Sequence, residues 1–308
     1  MGKLKSMLFK SSIGSALQIG PRTALLIAVP SCGSETSTQL SCEFAARISE
    51  TDAEVVGLYL HDLDSNSVAI RAGTILHPAS MIKVPVLIQL FRDVDSQRLS
   101  LDDSITVVNT FHSIVDGSPY RLSAGDDSDS TLYSRLGKKT TLGELAELMI
   151  TVSSNLAANI LIERLDAAGI QSPTQELGAH STVVLRGVED IKAYAAGMNN
   201  TTTARDMGVL FRAIAEGTAA SDSSCRQMIE ILSRQEFNSG IPVGLPGDIR
   251  VAHKTGRITR INHDGGIVYA GPNVSYVLVV LTGGNDDPAM SDRLIADLSR
   301  IAYEAISQ

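Results

Sequence analysis

Residues 54–71, EVVGLYLHDLDSNSVAIR, hold the pattern on which the fold prediction depends. Two runs rich in β-branched and apolar residues, 54–60 and 67–71, flank a cluster of Asp, Ser and Asn. Such residues favour turns because their short polar side chains hydrogen-bond to the nearby backbone. The stretch therefore predicts a β-hairpin near the start of the folded chain.

The segments around this hairpin have periodic apolar patterns of their own. Residues 39–50 carry apolar side chains at helical spacing and predict an amphipathic helix. From about Pro78 to about Glu216 the apolar period is helical, with a polar loop predicted over 113–130. Further patterns follow that region: strands over 249–254, 266–269 and 276–281, and a final helix over 291–306.

Strands at both ends with helices between them predict an α/β fold of two lobes. We expect an α/β sandwich lobe built from both termini, residues 39–76 and 217–308, with an all-helical lobe, residues 77–216, inserted in it. The interface of two such lobes is a usual place for a binding cleft.

Composition excludes several classes of function. The 308 residues carry a net charge of −8 and no block of Lys or Arg, which argues against nucleic acid as a partner. No apolar run reaches the roughly 20 residues that a transmembrane helix needs. Three widely spaced cysteines and no His cluster make a structural metal site improbable. Cys42 and Cys225 are expected as buried free thiols, with a disulfide as the alternative.

The N-terminal segment has the features of an export signal. Four basic residues precede the short apolar run 23–29, TALLIAV, and Cys32 follows shortly after it. We expect residues 1–38 to be a signal peptide and tether, with the protein periplasmic or secreted. Cys32 also resembles a bacterial lipoprotein cleavage site. The alternative is a frayed N-terminus without targeting function.

Ser80 and Lys83 form the first candidate catalytic pair. They lie three residues apart where a helix is predicted to open at Pro78, so their side chains are expected to share a face. A serine hydroxyl becomes nucleophilic when a neighbouring base takes its proton, and a lysine of lowered pKa can do so. Lys83 stands among apolar residues, as expected of a functional lysine or of a surface lysine whose stem packs on the core.

Two more polar segments complete the constellation. Ser153-Ser-Asn155 follows an apolar helical run, and His253-Lys254-Thr255-Gly256 ends a predicted strand. Taken together with Ser80-Met-Ile-Lys83, the only Ser-x-x-Lys in the chain, these motifs resemble the penicillin-recognising serine enzymes, the class A β-lactamases above all. The resemblance covers residues 39–308 and implies an antiparallel sheet flanked by helices.

The resemblance also implies a role for each motif residue. Ser80 would be the acylated nucleophile, Lys83 its activating partner and Ser153 the proton relay to the leaving nitrogen. Asn155 would bind the amide side chain of the substrate. The resemblance further implies that the third motif binds substrate, through Lys254, Thr255 and Gly256. The backbone N–H groups of Ser80 and Arg257 would form an oxyanion hole. No metal or organic cofactor is implied, and we expect a monomer acting on small molecules.

Two departures from the family pattern bear on activity. Ser154 replaces the usual Asp of the second motif, which normally supports the loop. Glu189 stands three residues after Arg186, whereas the family places its deacylating glutamate two residues after an arginine. Asn200 occupies the place of that arginine's usual aspartate partner. Glu189 is therefore expected either as the base that activates water or as an exposed loop carboxylate.

Three functions remain open from the sequence. The first is hydrolysis of β-lactams through a Ser80 acyl-enzyme, with a role in antibiotic resistance. The second is a D-alanyl-peptide carboxypeptidase or esterase of the same fold that deacylates β-lactams slowly. The third is a β-lactam or peptidoglycan sensor that binds without turnover.

Overall fold

A five-stranded antiparallel sheet forms the centre of the computed structural model, which describes residues 35–307. The strand order is β2-β1-β9-β8-β7, so the first two strands and the last three lie in one sheet. The strands of this sheet are β1 (Val55–His61), β2 (Ser67–Ile70), β7 (Arg250–Ile258), β8 (Ile261–Gly271) and β9 (Val274–Gly283). Two further ladders pair β3 (Ser104–Thr106) with β6 (Lys139–Thr141) and β4 (Phe111–His112) with β5 (Pro119–Tyr120).

The helices of the described chain cover both faces of this sheet. They are α1 (Glu35–Ser49), α2 (Lys83–Asp95), α3 (Leu142–Thr151), α4 (Asn155–Leu165), α5 (Ala167–Glu176), α6 (Ile191–Ala195), α7 (Ala204–Ala215), α8 (Asp222–Leu232) and α9 (Pro288–Ile306). Short 3-10 helices span Ala79–Ile82, Leu132–Arg135 and Ile241–Gly244. The predicted antiparallel sheet flanked by helices is confirmed. No described helix is long and apolar enough to cross a membrane.

Strand β9 explains how one sheet serves two apolar cores. Its side chains alternate between faces, as the period of two along a strand requires. Val277, Val279 and Leu281 join the core that contains α2, α3, α4 and α7. Leu278 and Val280 join the core formed with α1 and α9. The continuous apolar run at 276–281 thus results from burial on both faces of the strand.

Several predicted boundaries change in the structure. The hairpin at 54–71 is confirmed as the pair β1 and β2. Helix α1 begins at Glu35, four residues before the expected Gln39, and so takes in part of the predicted tether. The predicted loop 113–130 contains strand β5, and the region expected to be all helical holds both small ladders.

Predictions about the cysteines have a mixed outcome. Cys42 and Cys225 are both free thiols, as expected. Cys225 is buried, but Cys42 is exposed on α1, because it lies on the side of that helix opposite Phe44 and the core. The predicted signal segment and Cys32 lie outside the described residues.

Candidate active site

Ser80 lies on a tight helical segment that leads into α2. Residues Ala79–Ile82 form a 3-10 helix, and α2 begins at Lys83. Ala79 has a φ of 47°, in the left-handed region that is costly for a residue with a Cβ atom. Strand β7 packs so closely against this turn that a Cβ added to Gly256 would lie 3.2 Å from that of Ala79. The glycine of the third motif thus lets β7 lie beside Ser80 without displacing the turn by a few tenths of an ångström.

Lys83 is fully buried, and its ammonium group has three acceptors from the second motif. Its Nζ donates to Ser153 O at 2.6 Å, to Ser153 Oγ at 3.2 Å and to Asn155 Oδ1 at 2.8 Å. Burial lowers the pKa of Lys83 to about 7, although the negative charges of Asp127 and Glu189 oppose that shift. A lysine in this state can act as a base near neutral pH.

Ser153 lies between two buried lysines. Its Oγ is 3.2 Å from Lys83 Nζ and 3.0 Å from Lys254 Nζ, and Lys254 also donates to Thr255 O at 2.9 Å. Burial first, and then the like charge of Lys83, hold the pKa of Lys254 well below its ordinary value. A hydroxyl can accept one hydrogen bond while donating another. Ser153 is therefore placed to pass a proton between an amine and a bound ligand.

Asn155 connects Lys83 to Glu189. Its Oδ1 accepts from Lys83, and its Nδ2 donates to Glu189 Oε1 at 2.9 Å. Glu189 is half-buried, and burial raises the pKa of its carboxyl group. The alternative of an exposed loop carboxylate is therefore wrong, because Glu189 is directed at the catalytic motifs.

The loop that carries Glu189, residues 186–200, is held by amide side chains in place of an ion pair. Asn159 on α4 accepts from Val188 N at 2.7 Å and donates to Val188 O at 3.0 Å. Asn200 accepts from Leu185 N and Arg186 N and donates to Arg186 O, which closes the neck of the loop. These bonds fix the residue next to Glu189, so the altered Arg-to-Glu spacing still delivers the carboxylate to Asn155.

Ser80 opens onto a cavity of about 470 Å³ between the helical region and the sheet. Among the described residues its hydroxyl has no hydrogen-bond partner, so the predicted contact between Ser80 and Lys83 is not formed as a direct bond. The predicted site residues that line the cavity are Ser80, Ser153, Asn155, Thr255 and Arg257. Lys83, Lys254 and Glu189 stand behind this lining, joined to it by the hydrogen bonds given above.

Arg257 is partly committed to a protein carboxylate. Its guanidinium donates to both oxygens of Asp292, each at 2.7 Å, and to Asn262 Oδ1 at 3.3 Å. About half of the Arg257 side chain remains exposed (49%) at the mouth of the cavity. It is the one cationic side chain in the cavity lining of the described chain.

Two buried histidines support the walls of the cavity. His253 Nδ1 lies 2.8 Å from Asp264 Oδ1, and Asp264 Oδ2 accepts from Ile241 N at 2.8 Å. His253 Nε2 lies 3.1 Å from Asn238 Oδ1. Both ring nitrogens of His263 hydrogen-bond with backbone atoms, Nε2 with His77 O and Nδ1 with Thr282 N, and burial lowers its pKa to about 4, so it is neutral at pH 7. These contacts anchor the segment 236–241, a cavity wall that the sequence patterns did not indicate.

The structure thus brings all nine predicted site residues into one neighbourhood, while their chemical roles stay predictions. Within residues 35–307, no three His, Cys, Asp or Glu side chains are grouped as metal ligands would be. Asp127 and Asp292 were missed by the sequence analysis. Each accepts a hydrogen bond from a predicted site residue at least 28 positions away, and a single acidic residue carries no local signal of such a contact.

Comparison with known proteins gives consistent matches. The model of the beta-lactamase enzyme family matches residues 39–306. A beta-lactamase of Streptomyces albus G is 26% identical over 257 residues, covering 82% of this chain and 80% of that protein. A beta-lactamase of Rhodobacter capsulatus is 29% identical over 229 residues, 73% of each chain.

Solved structures with the same fold include two kinds of protein. PBP-A is 31% identical with a TM-score of 0.73, covering 87% of this chain and 96% of that one. A variant of PBP-A, 30% identical over the same shares of the two chains and also with a TM-score of 0.73, was solved as an acyl-enzyme complex with penicillin G. The ancestral class A beta-lactamase GNCA is 26% identical with a TM-score of 0.75, covering 87% of this chain and all of that one.

Proposed function

Since the chain belongs to the beta-lactamase enzyme family, we propose that it is a class A serine β-lactamase that hydrolyses β-lactams through an acyl-enzyme on Ser80. The observation that carries the proposal is the position of Ser153 Oγ between Lys83 Nζ and Lys254 Nζ, beside the cavity of Ser80. This arrangement supplies a nucleophile, a base and a proton path within one site. The penicillin acyl-enzyme of the PBP-A variant supports the same reaction here.

Acylation follows from the protonation states of the two lysines. Neutral Lys83 takes the proton of Ser80 Oγ, which attacks the carbonyl carbon of the β-lactam. The C–N bond of the ring breaks, and the nitrogen receives a proton from Ser153 Oγ. Ser153 recovers a proton from protonated Lys83, which restores the neutral amine. Although burial holds the pKa of Lys254 low, a substrate carboxylate bound beside it would raise that pKa and form an ion pair with the ammonium group.

The free edge of β7 supports the proposed oxyanion hole. Strand β7 ends the sheet, so its outer backbone groups lack a strand partner. Ile258 and Ile261 face each other across a two-residue turn and so form a hydrogen-bonded pair. The next pair, Arg257 with Asn262, is then a non-hydrogen-bonded pair, and the N–H of Arg257 points to the free edge. Together with the N–H of Ser80 it would stabilise the tetrahedral oxyanion.

Deacylation is assigned to Glu189. Its carboxylate, held by Asn155, removes a proton from water, whose oxygen attacks the ester carbonyl of the acylated Ser80. The ester C–O bond then breaks, and Ser80 Oγ takes the proton that Glu189 removed from the water, which restores both groups. Because burial raises the pKa of Glu189, the carboxylate is a stronger base than a solvated glutamate.

Steady-state hydrolysis of a chromogenic cephalosporin tests the proposal. The parent protein is expected to turn over many equivalents, and Ser80→Ala none, with both variants folded by circular dichroism. A burst of one equivalent that then stalls would favour the D-alanyl-peptide carboxypeptidase or esterase. No reaction with the cephalosporin, and no adduct with penicillin G, would refute acyl transfer and leave the sensor.

A role in resistance completes the proposal and depends on export of the protein. The basic and apolar pattern of residues 1–32 is its support. Expression of the full chain in a β-lactam-sensitive bacterium is expected to raise the inhibitory concentration of penicillin G, and Ser80→Ala is expected to remove that increase. Equal growth of cells with the parent and Ser80→Ala proteins would contradict the proposed role.

A further inference from the structure

The loop 123–131 contacts the second motif through two adjacent side chains. Asp127 accepts hydrogen bonds from Asn155 N at 2.9 Å and from Leu156 N at 2.9 Å. Tyr133 Oη donates to Asp127 Oδ2 at 2.9 Å and so orients the carboxylate. Ser128 Oγ lies 2.8 Å from Val152 O and 2.9 Å from Ser153 O, which accept from it. The loop therefore holds backbone groups on both sides of the Ser153–Asn155 turn.

This turn needs external support. Ser153 has a φ of 56°, a conformation that costs about 1–3 kcal/mol for a residue with a side chain and persists only where neighbours hold it. The first N–H groups of α4 have no partners within the helix. Ser154 is the N-cap, but its Oγ accepts only from Ala157 N, at 3.3 Å. Asp127 supplies the acceptor for the two N–H groups that Ser154 leaves.

The contacts continue from this turn to the reacting groups. Asn155, whose backbone Asp127 holds, contacts both Lys83 and Glu189 through its side chain. Ser153 O accepts from Ser128 Oγ and from Lys83 Nζ. A shift of the turn would therefore move the acceptors of Lys83 and the relay hydroxyl together.

We propose that Asp127 and Ser128 act as a clamp that positions Ser153 and Asn155 for acylation of Ser80, an inference that rests on the proposed function. Neither residue reacts with the substrate; each is a positioning residue that acts through the turn. The second motif has Ser154 where the family has a supporting Asp. The carboxylate of Asp127, in loop 123–131, supplies that support instead.

The negative charge of Asp127 affects the pH dependence of acylation, which a purely structural role would leave unchanged. The charged groups around Lys83 are Asp127 and Glu189, which raise its pKa, and the neighbouring Lys254, with which it shares Ser153. Removing the negative charge of Asp127 lowers the pKa of Lys83 further. The neutral amine then persists to lower pH, so the acid limb of the acylation rate moves to lower pH.

Asp127→Asn is the decisive variant, and Asp62→Asn is its matched control. Asp62 also accepts from three backbone N–H groups and one side-chain donor, but these belong to residues 64–66 of the β1–β2 turn and to no catalytic motif. The rate of Ser80 adduct formation with penicillin G is measured from pH 5 to 8 by quenched-flow mass spectrometry, before deacylation removes the adduct, and thermal unfolding is measured beside it. Both variants are expected to lower the unfolding temperature, because each loses a set of capping bonds.

The expected result separates positioning from stability. Asp127→Asn slows adduct formation by about tenfold or more and moves its acid limb to lower pH, whereas Asp62→Asn matches the parent in both. An Asp127→Asn rate within about threefold of the parent, with an unmoved limb, would overturn the clamp. Equal slowing by both variants would also overturn it, since stability alone would then explain the loss.

A second variant covers the case in which Asp127→Asn does not fold. Ser128→Ala keeps the carboxylate and removes only the two bonds to Val152 O and Ser153 O. It is expected to slow adduct formation by about threefold or more, and a parental rate would overturn the proposal. Failure of the parent both to hydrolyse penicillin G and to form an adduct with it would instead refute the proposed function.

Discussion

Replacing Lys83 with methionine is expected to remove a pH dependence from the stability of the protein. The pKa of Lys83 is about 7 in the folded protein, against 10.5 for a lysine in water. Between these two values the unfolded chain binds more protons than the folded one. The free energy of unfolding of the parent therefore rises with pH through this window.

The size of the effect follows from the difference of 3.5 pH units, 10.5 minus 7. At 1.36 kcal/mol for each unit, burying the charged lysine costs about 5 kcal/mol at pH values well below 7. Raising the pH from 6 to 9 recovers about 2–3 kcal/mol of that cost. Lys83→Met has no such group, so its own stability lacks this increment. The variant also loses the hydrogen bonds that Lys83 donates to Ser153 and Asn155. This loss lowers the free energy of unfolding by an amount that does not depend on pH.

Urea unfolding of the two proteins at pH 6, 7.5 and 9 measures the increment. The difference in unfolding free energy, parent minus Lys83→Met, is expected to grow by about 2–3 kcal/mol from pH 6 to pH 9. Lys139→Met, in which an exposed lysine is replaced, serves as the control and is expected to follow the parent. Parallel curves for the parent and Lys83→Met would refute the lowered pKa and the base role built on it.

Three further predictions concern the rate, the Glu189 loop and the packing. The kcat/KM for cephalosporin hydrolysis is expected to fall as pH decreases below about 7, because protonated Lys83 cannot act as base; a profile flat to pH 5 would contradict this. Asn200→Ala loses three hydrogen bonds to the backbone and is expected to lower the free energy of unfolding by about 1–3 kcal/mol. It is also expected to slow deacylation more than adduct formation, and a quenched-flow comparison of the two rates checks this. Gly208→Ala places a Cβ 2.1 Å from Tyr59 Cδ1 and is expected to lower the free energy of unfolding by about 1–3 kcal/mol. Gly169 has open space around it, so the control Gly169→Ala is expected to leave the free energy of unfolding unchanged or to raise it.

Local patterns were sufficient to predict strands of the sheet, while the antiparallel arrangement was implied by the family resemblance. The apolar run in β9 and the Asp-Ser-Asn turn between β1 and β2 each depend on neighbours in sequence, and both elements form as predicted. The start of α1 was misplaced because Glu35 to Thr38 are polar and carry no apolar period, yet they continue the helix.

The site was predictable only where a motif supplied the residues. Ser80, Ser153 and Lys254 come together as their motifs suggest. Glu189 could not be placed from its spacing, because the bonds of Asn159 and Asn200 decide where its loop lies. These contacts join positions far apart in the chain, and no period or turn signal encodes them.

Asp127 shows the same limit for residues that support others. Its neighbours in sequence, Asp126, Ser128 and Asp129, suggest only a solvated polar loop. The tertiary fold brings its carboxylate to the N-terminus of α4, 28 residues away. Asp127 thus takes the place of the Asp that Ser154 replaces in the second motif, and it lies outside all three motifs.

The central claim is that Ser80 is acylated and that Glu189 releases the acyl group. Intact-protein mass spectrometry of Glu189→Gln mixed with penicillin G tests it most directly, because the amide keeps the contact with Asn155 but cannot act as base. A stable adduct of one penicillin on Ser80 is expected to accumulate in Glu189→Gln and to be absent from Ser80→Ala. Continued turnover by Glu189→Gln without accumulation, or an adduct that survives Ser80→Ala, would contradict it.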